Sequence, residues 1–214
     1  LRDATSGSGG DPGPLVATGY NPARAGSAAD RPPPDAPDHP NHRGAPRMTI
    51  QIGDRLPEAT LTEFVEVEGN GCSIGPNAFK VSDLVKGKKI AIFGLPGAFT
   101  PTCSAKHVPG YVQHFEALKA KGVDEVWCVS VNDAFVMGAW GRDQKSGGKV
   151  RMMADGSAEF AQKTGLTLDL TARGMGLRSD RYSMLVEDGV VKQLNREQPG
   201  KFEVSDAATL LKQL

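Results

Sequence analysis

The sequence has 214 residues, with 25 basic and 25 acidic side chains, four histidines and a formal net charge of zero. That balance gives no electrostatic case for nucleic acid or an anionic membrane surface, and no stretch approaches the ~20 apolar residues that span a bilayer. Three cysteines, few and odd in number, argue against a secreted disulfide framework and point to a cytoplasmic protein.

Residues 1–47 are built from Gly, Pro, Ala, Ser, Asp and Arg, begin with Leu, contain no Lys, and include the run Arg31-Pro32-Pro33-Pro34-Asp35-Ala36-Pro37. Such a segment buries too little apolar surface to offset the entropy of ordering it, so it is expected to be a disordered leader or an expression remnant. Its aspartates match its arginines one for one, unlike a mitochondrial transit peptide. The well-patterned sequence begins at Met48, and residues 48–214 are expected to form one domain.

Along that domain, Leu61, Phe64, Val65 and Val67 predict a strand pairing with a second around Ile74 to Val81, turned at Gly69-Asn70-Gly71. Ser82-Asp83 is expected to cap a short helical turn through Val85. Lys89 to Phe93 is an apolar run of the kind that makes a buried strand. A loop dense in Pro and Gly follows. Val108, Val112, Phe115 and Leu118 recur at helical spacing, so a helix is predicted from about Thr102 to Lys121, with Pro109 either bending its axis or marking an early kink, and stopped at Gly122. Val126 to Val131 reads as a second buried strand and places Cys128 in the core. Asn132-Asp133 caps a helix through Trp140. Val150 to Met153 predicts a third strand, Asp155-Gly156 opens a helix to about Thr164, and Asp169 to Asp180 reads as a loop. Arg181 to Val186 and Val190 to Leu194 flank Glu187-Asp188-Gly189 as a hairpin, and Ser205-Asp206 caps a last helix. This order predicts an α/β, thioredoxin-like fold, a mixed central sheet with helices on both faces.

Chemistry concentrates between Phe93 and Tyr111. Cys103 falls in the first turn of the predicted helix, where backbone N–H groups lack intrahelical acceptors and the peptide dipoles favour thiolate over thiol. Thr100, three residues earlier, is close enough for its hydroxyl to touch the sulfur if the loop curls into the helix. His107, one turn on, is expected to be a structural hydrogen-bonding residue more than a base, since a thiolate at a helix N-terminus needs none.

Pro96-x-x-x-Thr100-x-x-Cys103 is the active-site signature of peroxiredoxins. Its expanded form, Pro96-Gly97-Ala98-Phe99-Thr100-Pro101-x-Cys103 followed by His107-x-Pro109-Gly110-Tyr111, resembles the peroxiredoxin-5 type. The likeness runs from about Thr49 to Leu214. It implies a thiol peroxidase that reduces hydrogen peroxide and alkyl hydroperoxides through a Cys103 sulfenic acid, with Pro96, Thr100 and an arginine as further catalytic residues and the Thr102 backbone binding substrate. The arginine that opens an Arg-Tyr/Phe-Ser-Met strand in similar proteins maps onto Arg181, with Arg178 its nearest rival. The resemblance also implies a homodimer, for which Phe99, Phe135 and Trp140 are apolar candidates.

A late resolving cysteine found in some peroxiredoxin-5 proteins is missing from Gly200 to Ser205. Cys72 is therefore the possible resolving thiol, with thioredoxin as reductant, and a one-cysteine cycle reset by glutathione and glutaredoxin is the favoured expectation. Three readings compete with turnover: a redox sensor of the same fold, a Cys-His hydrolase lacking a specified acidic relay, and a metal site, for which Cys72, Cys103 and Cys128 lack paired spacing. No bound cofactor or metal is expected.

Overall fold

Residues 49–66 and 74–214 are described by the computed structural model, in which seven strands form one mixed sheet. In chain order the elements are β1 (Thr60–Val65), β2 (Gly75–Lys80), α1 (Val81–Val85), β3 (Lys89–Leu95), a π-helical turn (Cys103–His107), α2 (Val108–Ala120), β4 (Glu125–Ser130), α3 (Ala134–Asp143), β5 (Val150–Ala154) and α4 (Glu159–Thr164). There follow β6 (Thr167–Leu170), a 3-10 turn (Thr171–Arg173), β7 (Gly176–Ser179), β8 (Tyr182–Glu187), β9 (Val190–Arg196) and α5 (Ala207–Lys212). The sheet runs β2-β1-β5-β4-β3-β8-β9; β3, β4 and β5 are parallel, while β1 and β8 join them antiparallel. The thioredoxin-like α/β fold expected from the order of elements is thus present.

Alternation along the central strands divides the core between two faces. Ala91, Phe93 and Leu95 of β3 share one apolar cluster with Tyr111, Leu118, Trp140 and Leu210 from α2, α3 and α5. Ile90 and Ile92 share the other with Val81, Val85 and Phe160 from α1 and α4. Covered on both faces, β3 and β4 can be almost continuously apolar, as parallel strands in α/β proteins are. At the ends where β3, β4 and β5 begin or nearly begin, Glu125 accepts from Lys88 and Arg151, and Arg151 also binds Glu63. The opposite ends, at Leu95 and Ser130, carry the loops of the candidate site.

Two expectations are corrected. Asp169 to Asp180 is not a plain loop: β6 and β7 pair antiparallel as a second, two-stranded sheet. Each strand has only four residues, and Gly174 between them and Gly176 at the start of β7 take positive φ, so the segment lacks the long alternation that marks a strand in sequence. Ser82-Asp83 does not cap α1; Lys80 is its N-cap, without a side-chain bond, and the Ser82 hydroxyl donates to Glu58. The Asn132-Asp133 cap of α3 is present, supplied by Asp133, which accepts from the Val136 N–H. Pro109 is met by a widened turn before it: the Val108 N–H reaches back five residues to the Cys103 carbonyl. In a regular α-turn the Pro109 ring would press on the Ala105 carbonyl, and widening the turn relieves that clash.

The hairpin appears as expected, with Asp188 and Gly189 both at positive φ between β8 and β9, the two-residue turn whose twist matches flanking strands. Asp206 caps α5 through the Thr209 N–H. The Gly69-Asn70-Gly71 turn and residues 1–47 lie outside the described residues.

Gly94, opposite Tyr182 in the β3–β8 ladder, is required by a close approach: a Cβ there would lie 2.1 Å from the tyrosine ring. Gly94→Ala is expected to destabilise the fold by ~2–3 kcal/mol, the cost of forcing an extra carbon into a filled core. Denaturant unfolding measures this, and a midpoint equal to the parent's would show that the ring yields freely.

Candidate active site

Pro96 directly follows β3 and, having no N–H, cannot extend its ladder. The chain then turns through Phe99, which sits at φ +60°, and enters the helical run that carries Cys103. The turn is pinned from the neighbouring strand end: the Asn132 side-chain oxygen accepts from the Ala98 N–H at 3.0 Å and from the Ser130 hydroxyl at 2.8 Å. The Ser104 N–H donates to the Thr100 carbonyl at 3.0 Å, so Thr100 stands one turn before the cysteine. Its hydroxyl donates to the Gly97 carbonyl at 2.8 Å. The expected touch of hydroxyl on sulfur is replaced by this bond, which commits the Thr100 proton and leaves its lone pairs as acceptors. N–H groups of Thr102 and Cys103 lie in the first helical turn, where no earlier helical carbonyl reaches them.

Cys103 is fully buried. Arg181, immediately before β8, donates from Nη2 to its sulfur at 3.4 Å and from Nη1 to His107 Nδ1 at 3.1 Å. Arg178 points elsewhere, holding the Val131 and Met175 carbonyls at 2.7 Å each. Of the two candidate arginines, Arg181 is the one brought to the sulfur.

His107 is also fully buried, and its two nitrogens have different partners. A guanidinium can only donate, so Nδ1 facing Arg181 must present a lone pair; a carbonyl can only accept, so Nε2, 3.2 Å from the Ser205 oxygen, must carry the proton. Both constraints select one neutral tautomer. Burial, reinforced by the Arg181 charge, lowers the His107 pKa to about 3. The ring therefore does not serve Cys103 as a base. It supports the arginine, as its expected structural role implies.

The Ser205 carbonyl also accepts from the Tyr111 hydroxyl at 3.0 Å, and Tyr111 stacks on Phe93 with ring centroids 4.0 Å apart. Phe202 covers the group, lying 4.9 Å from His107 and 5.7 Å from the Arg181 guanidinium. Ser205, Phe202 and the amide of Asn132 were not singled out as site residues by the sequence. Ser205 acts through its backbone, which no residue pattern reports, while Asn132 had a visible signal in its place just after a buried strand.

Cys128 lies buried in β4 within the same apolar cluster as Cys103. Burial, with a smaller contribution from Cys103, pushes its thiol well above the ordinary range, as befits a core cysteine. Cys72 lies outside the described residues. Trp140 is fully buried and donates to the Ser104 hydroxyl at 3.1 Å, whereas Phe99 and Phe135 are 56% and 64% exposed. Among the described residues no group of three His, Cys, Asp or Glu side chains could hold a metal ion, and no helix is long and apolar enough to cross a membrane.

Residues 51–211 match the Redoxin family. The chain is 46% identical over 165 residues to Peroxiredoxin-2B of Arabidopsis thaliana, covering 77% of this chain and 98% of that one. The crystal structure of reduced Prx3 in complex with hydrogen peroxide, from Vibrio vulnificus, is similar at a TM-score of 0.71 and 47% identity, covering 77% of this chain and 99% of that one. A Burkholderia cenocepacia crystal structure named as a thioredoxin reductase is similar at a TM-score of 0.77 and 66% identity, covering 78% and 99%.

A ring held neutral by burial is expected to show no titration between pH 5 and 8. NMR of the His107 ring nitrogens tests this, and a midpoint inside that window would show that burial does not hold the ring neutral. Linkage gives the matching sign for stability. The unfolded histidine takes up a proton near pH 6.5 and the folded one does not until about 3, so this residue's contribution is complete above ~6.5 and declines as pH falls through that interval.

Proposed function

The chain belongs to the peroxiredoxin family, and from that premise we propose that it reduces hydrogen peroxide and alkyl hydroperoxides at Cys103 as a peroxidase of the peroxiredoxin-5 type. The subtype rests on the run from Pro96 to Tyr111, which carries the long form of the signature. The single observation that carries the chemistry is the Arg181 Nη2 contact with the Cys103 sulfur at 3.4 Å. The guanidinium lies where it faces the negative charge of an attacking sulfur and of the oxygen beside it.

In the reaction the thiolate sulfur bonds to one peroxide oxygen while the O–O bond breaks. The sulfur is oxidised to sulfenic acid, and the second oxygen leaves with the electron pair as alkoxide or hydroxide, then takes a proton. Arg181 and the Thr102 and Cys103 N–H groups donate to the oxygens as charge passes from sulfur to the leaving atom. Thr100, its own proton held by Gly97, accepts from the peroxide O–H. Pro96 ends β3 so that the loop can close over this point.

Reset follows a one-cysteine cycle. Glutathione attacks the sulfenic acid and releases water to leave a mixed disulfide; a second glutathione, assisted by glutaredoxin, frees Cys103 and departs as glutathione disulfide. The support is that Cys103 and Cys128 are both free, with Cys128 buried in a strand. A Cys72 bridge served by thioredoxin is the competing cycle. The reductase name of the Burkholderia protein finds less support: disulfide oxidoreductases use a Cys-x-x-Cys pair, and cysteines 72, 103 and 128 form none. The exposed Phe99 and Phe135 are proposed to pack in a homodimer, which light scattering of residues 48–214 tests.

Arg181→Ala is expected to slow Cys103 oxidation by roughly tenfold to a thousandfold, the scale of losing ~1.5–4 kcal/mol of transition-state stabilisation. Arg178→Ala should do much less, and equal effects would break the assignment. For the reductant, peroxide followed by glutathione should give a mixed disulfide on Cys103, with turnover retained in Cys72→Ser. Peptide mapping that instead finds Cys72 joined to Cys103, with turnover lost in that variant, would establish the thioredoxin-served cycle.

A further inference from the structure

Glu197 follows β9 directly, is 5% exposed, and touches neither the sulfur nor any residue on it by its side chain. Its carboxylate is nonetheless the most heavily used acceptor near the site. One oxygen, Oε1, accepts from the Glu203, Val204 and Ser205 N–H groups at 2.7, 2.8 and 2.8 Å and from the Ser205 hydroxyl at 2.9 Å. Its backbone N–H donates to the Arg181 carbonyl at 2.9 Å. Burial disfavours its charge, yet these donors outweigh burial and hold its carboxyl below the usual range. The residue stays an anion around which the chain from 203 to 205 is wrapped.

That wrapped segment is what presents the Ser205 carbonyl to His107 Nε2. We infer that Glu197 is a positioning residue for the reaction at Cys103, acting through Ser205 and His107 on Arg181. With the carbonyl fixed, the imidazole proton stays on Nε2 and the Nδ1 lone pair stays aimed at Arg181 Nη1. The guanidinium is thereby held at both ends, by the ring and by the sulfur. Release of the carbonyl lets the ring adopt the other neutral tautomer, which puts an N–H against a guanidinium N–H and turns the arginine off the sulfur. A carboxylate that only stitched a surface loop would leave tautomer and oxidation rate alone.

This inference rests on the peroxidase reading, and its two measurements separate the two. The His107 tautomer is read by nitrogen NMR of the full chain without peroxide; the rate is read by stoichiometric oxidation of Cys103 with hydrogen peroxide. Glu197→Ala should shift His107 from a single Nε2–H form to a tautomer mixture and slow oxidation by roughly fivefold to fiftyfold, less than removing the Arg181 donor itself. Glu197→Gln keeps an oxygen acceptor in place and should recover the rate to within about threefold of the parent. If Glu197→Ala does not fold, Glu197→Asp, which withdraws the acceptor by one methylene, should give a smaller change of the same kind in both readouts. A folded variant lacking the acceptor that keeps a single tautomer, whatever its rate, or that keeps a parent-like rate despite mixed tautomers, overturns the inference. A parent protein that peroxide does not oxidise at Cys103 overturns the peroxidase reading instead, and leaves the tautomer result to stand or fall alone.

Discussion

The site hangs on one antiparallel register, Gly94 of β3 opposite Tyr182 of β8. Cys103 reaches its place through the turn that leaves β3, and Arg181 is the residue just before β8, so the pairing that sets the core also delivers the guanidinium to the sulfur. Side chains alternate with a period of two, so a slip of one residue would exchange the faces of β8 and carry Arg181 away from Cys103 and His107. The absent side chain at Gly94 holds the register: the Tyr182 ring fills the space a larger residue would claim. Core packing and the geometry of the candidate site are therefore one constraint.

Charge is arranged with equal economy around that register. Arg181 supplies a cation to a buried sulfur, and the other side chain that its guanidinium bonds, His107, is neutral. A protonated His107 would add a second positive charge in a place that water does not reach, and burial prevents it. The guanidinium's field is consequently directed toward the sulfur and whatever oxygen lies beside it, which is where the proposed attack on a peroxide would transfer negative charge. Rigid dipoles and a fixed cation need no reorganisation as the charge moves.

Much of this was legible in sequence because local chemistry and fold agreed. The apolar runs of β3 and β4, the Asp-Gly hairpin and the Asp206 cap each announce themselves within a few residues, and the Pro96 to Tyr111 signature placed Cys103 and Thr100. The pairing of Arg181 with Cys103 crosses 78 positions and came only through family resemblance. Contacts made by backbone atoms were invisible: the Ser205 carbonyl would be the same atom on any residue. Glu197 reads as one more acid after a strand, since its burial depends on a segment several residues further on folding back over it. The short β6 and β7 escaped notice because four-residue strands draw their order from each other, not from internal pattern.

The widened turn from Cys103 to His107 carries an arithmetic consequence. A π-turn holds one residue more than its α counterpart, and one residue of α-helix corresponds to about 100° of rotation. The helix that follows, seated on the sheet by Tyr111 and Leu118, is out of phase with the cysteine by that amount. Removing Ala105 or Lys106, both exposed, would force the turn toward α geometry against the Pro109 ring and swing the sulfur around the axis while leaving each site side chain in the sequence. The spacing between the cysteine and the anchored part of its helix is thus a coordinate of the site in its own right, one that substitutions never probe and a single deletion does.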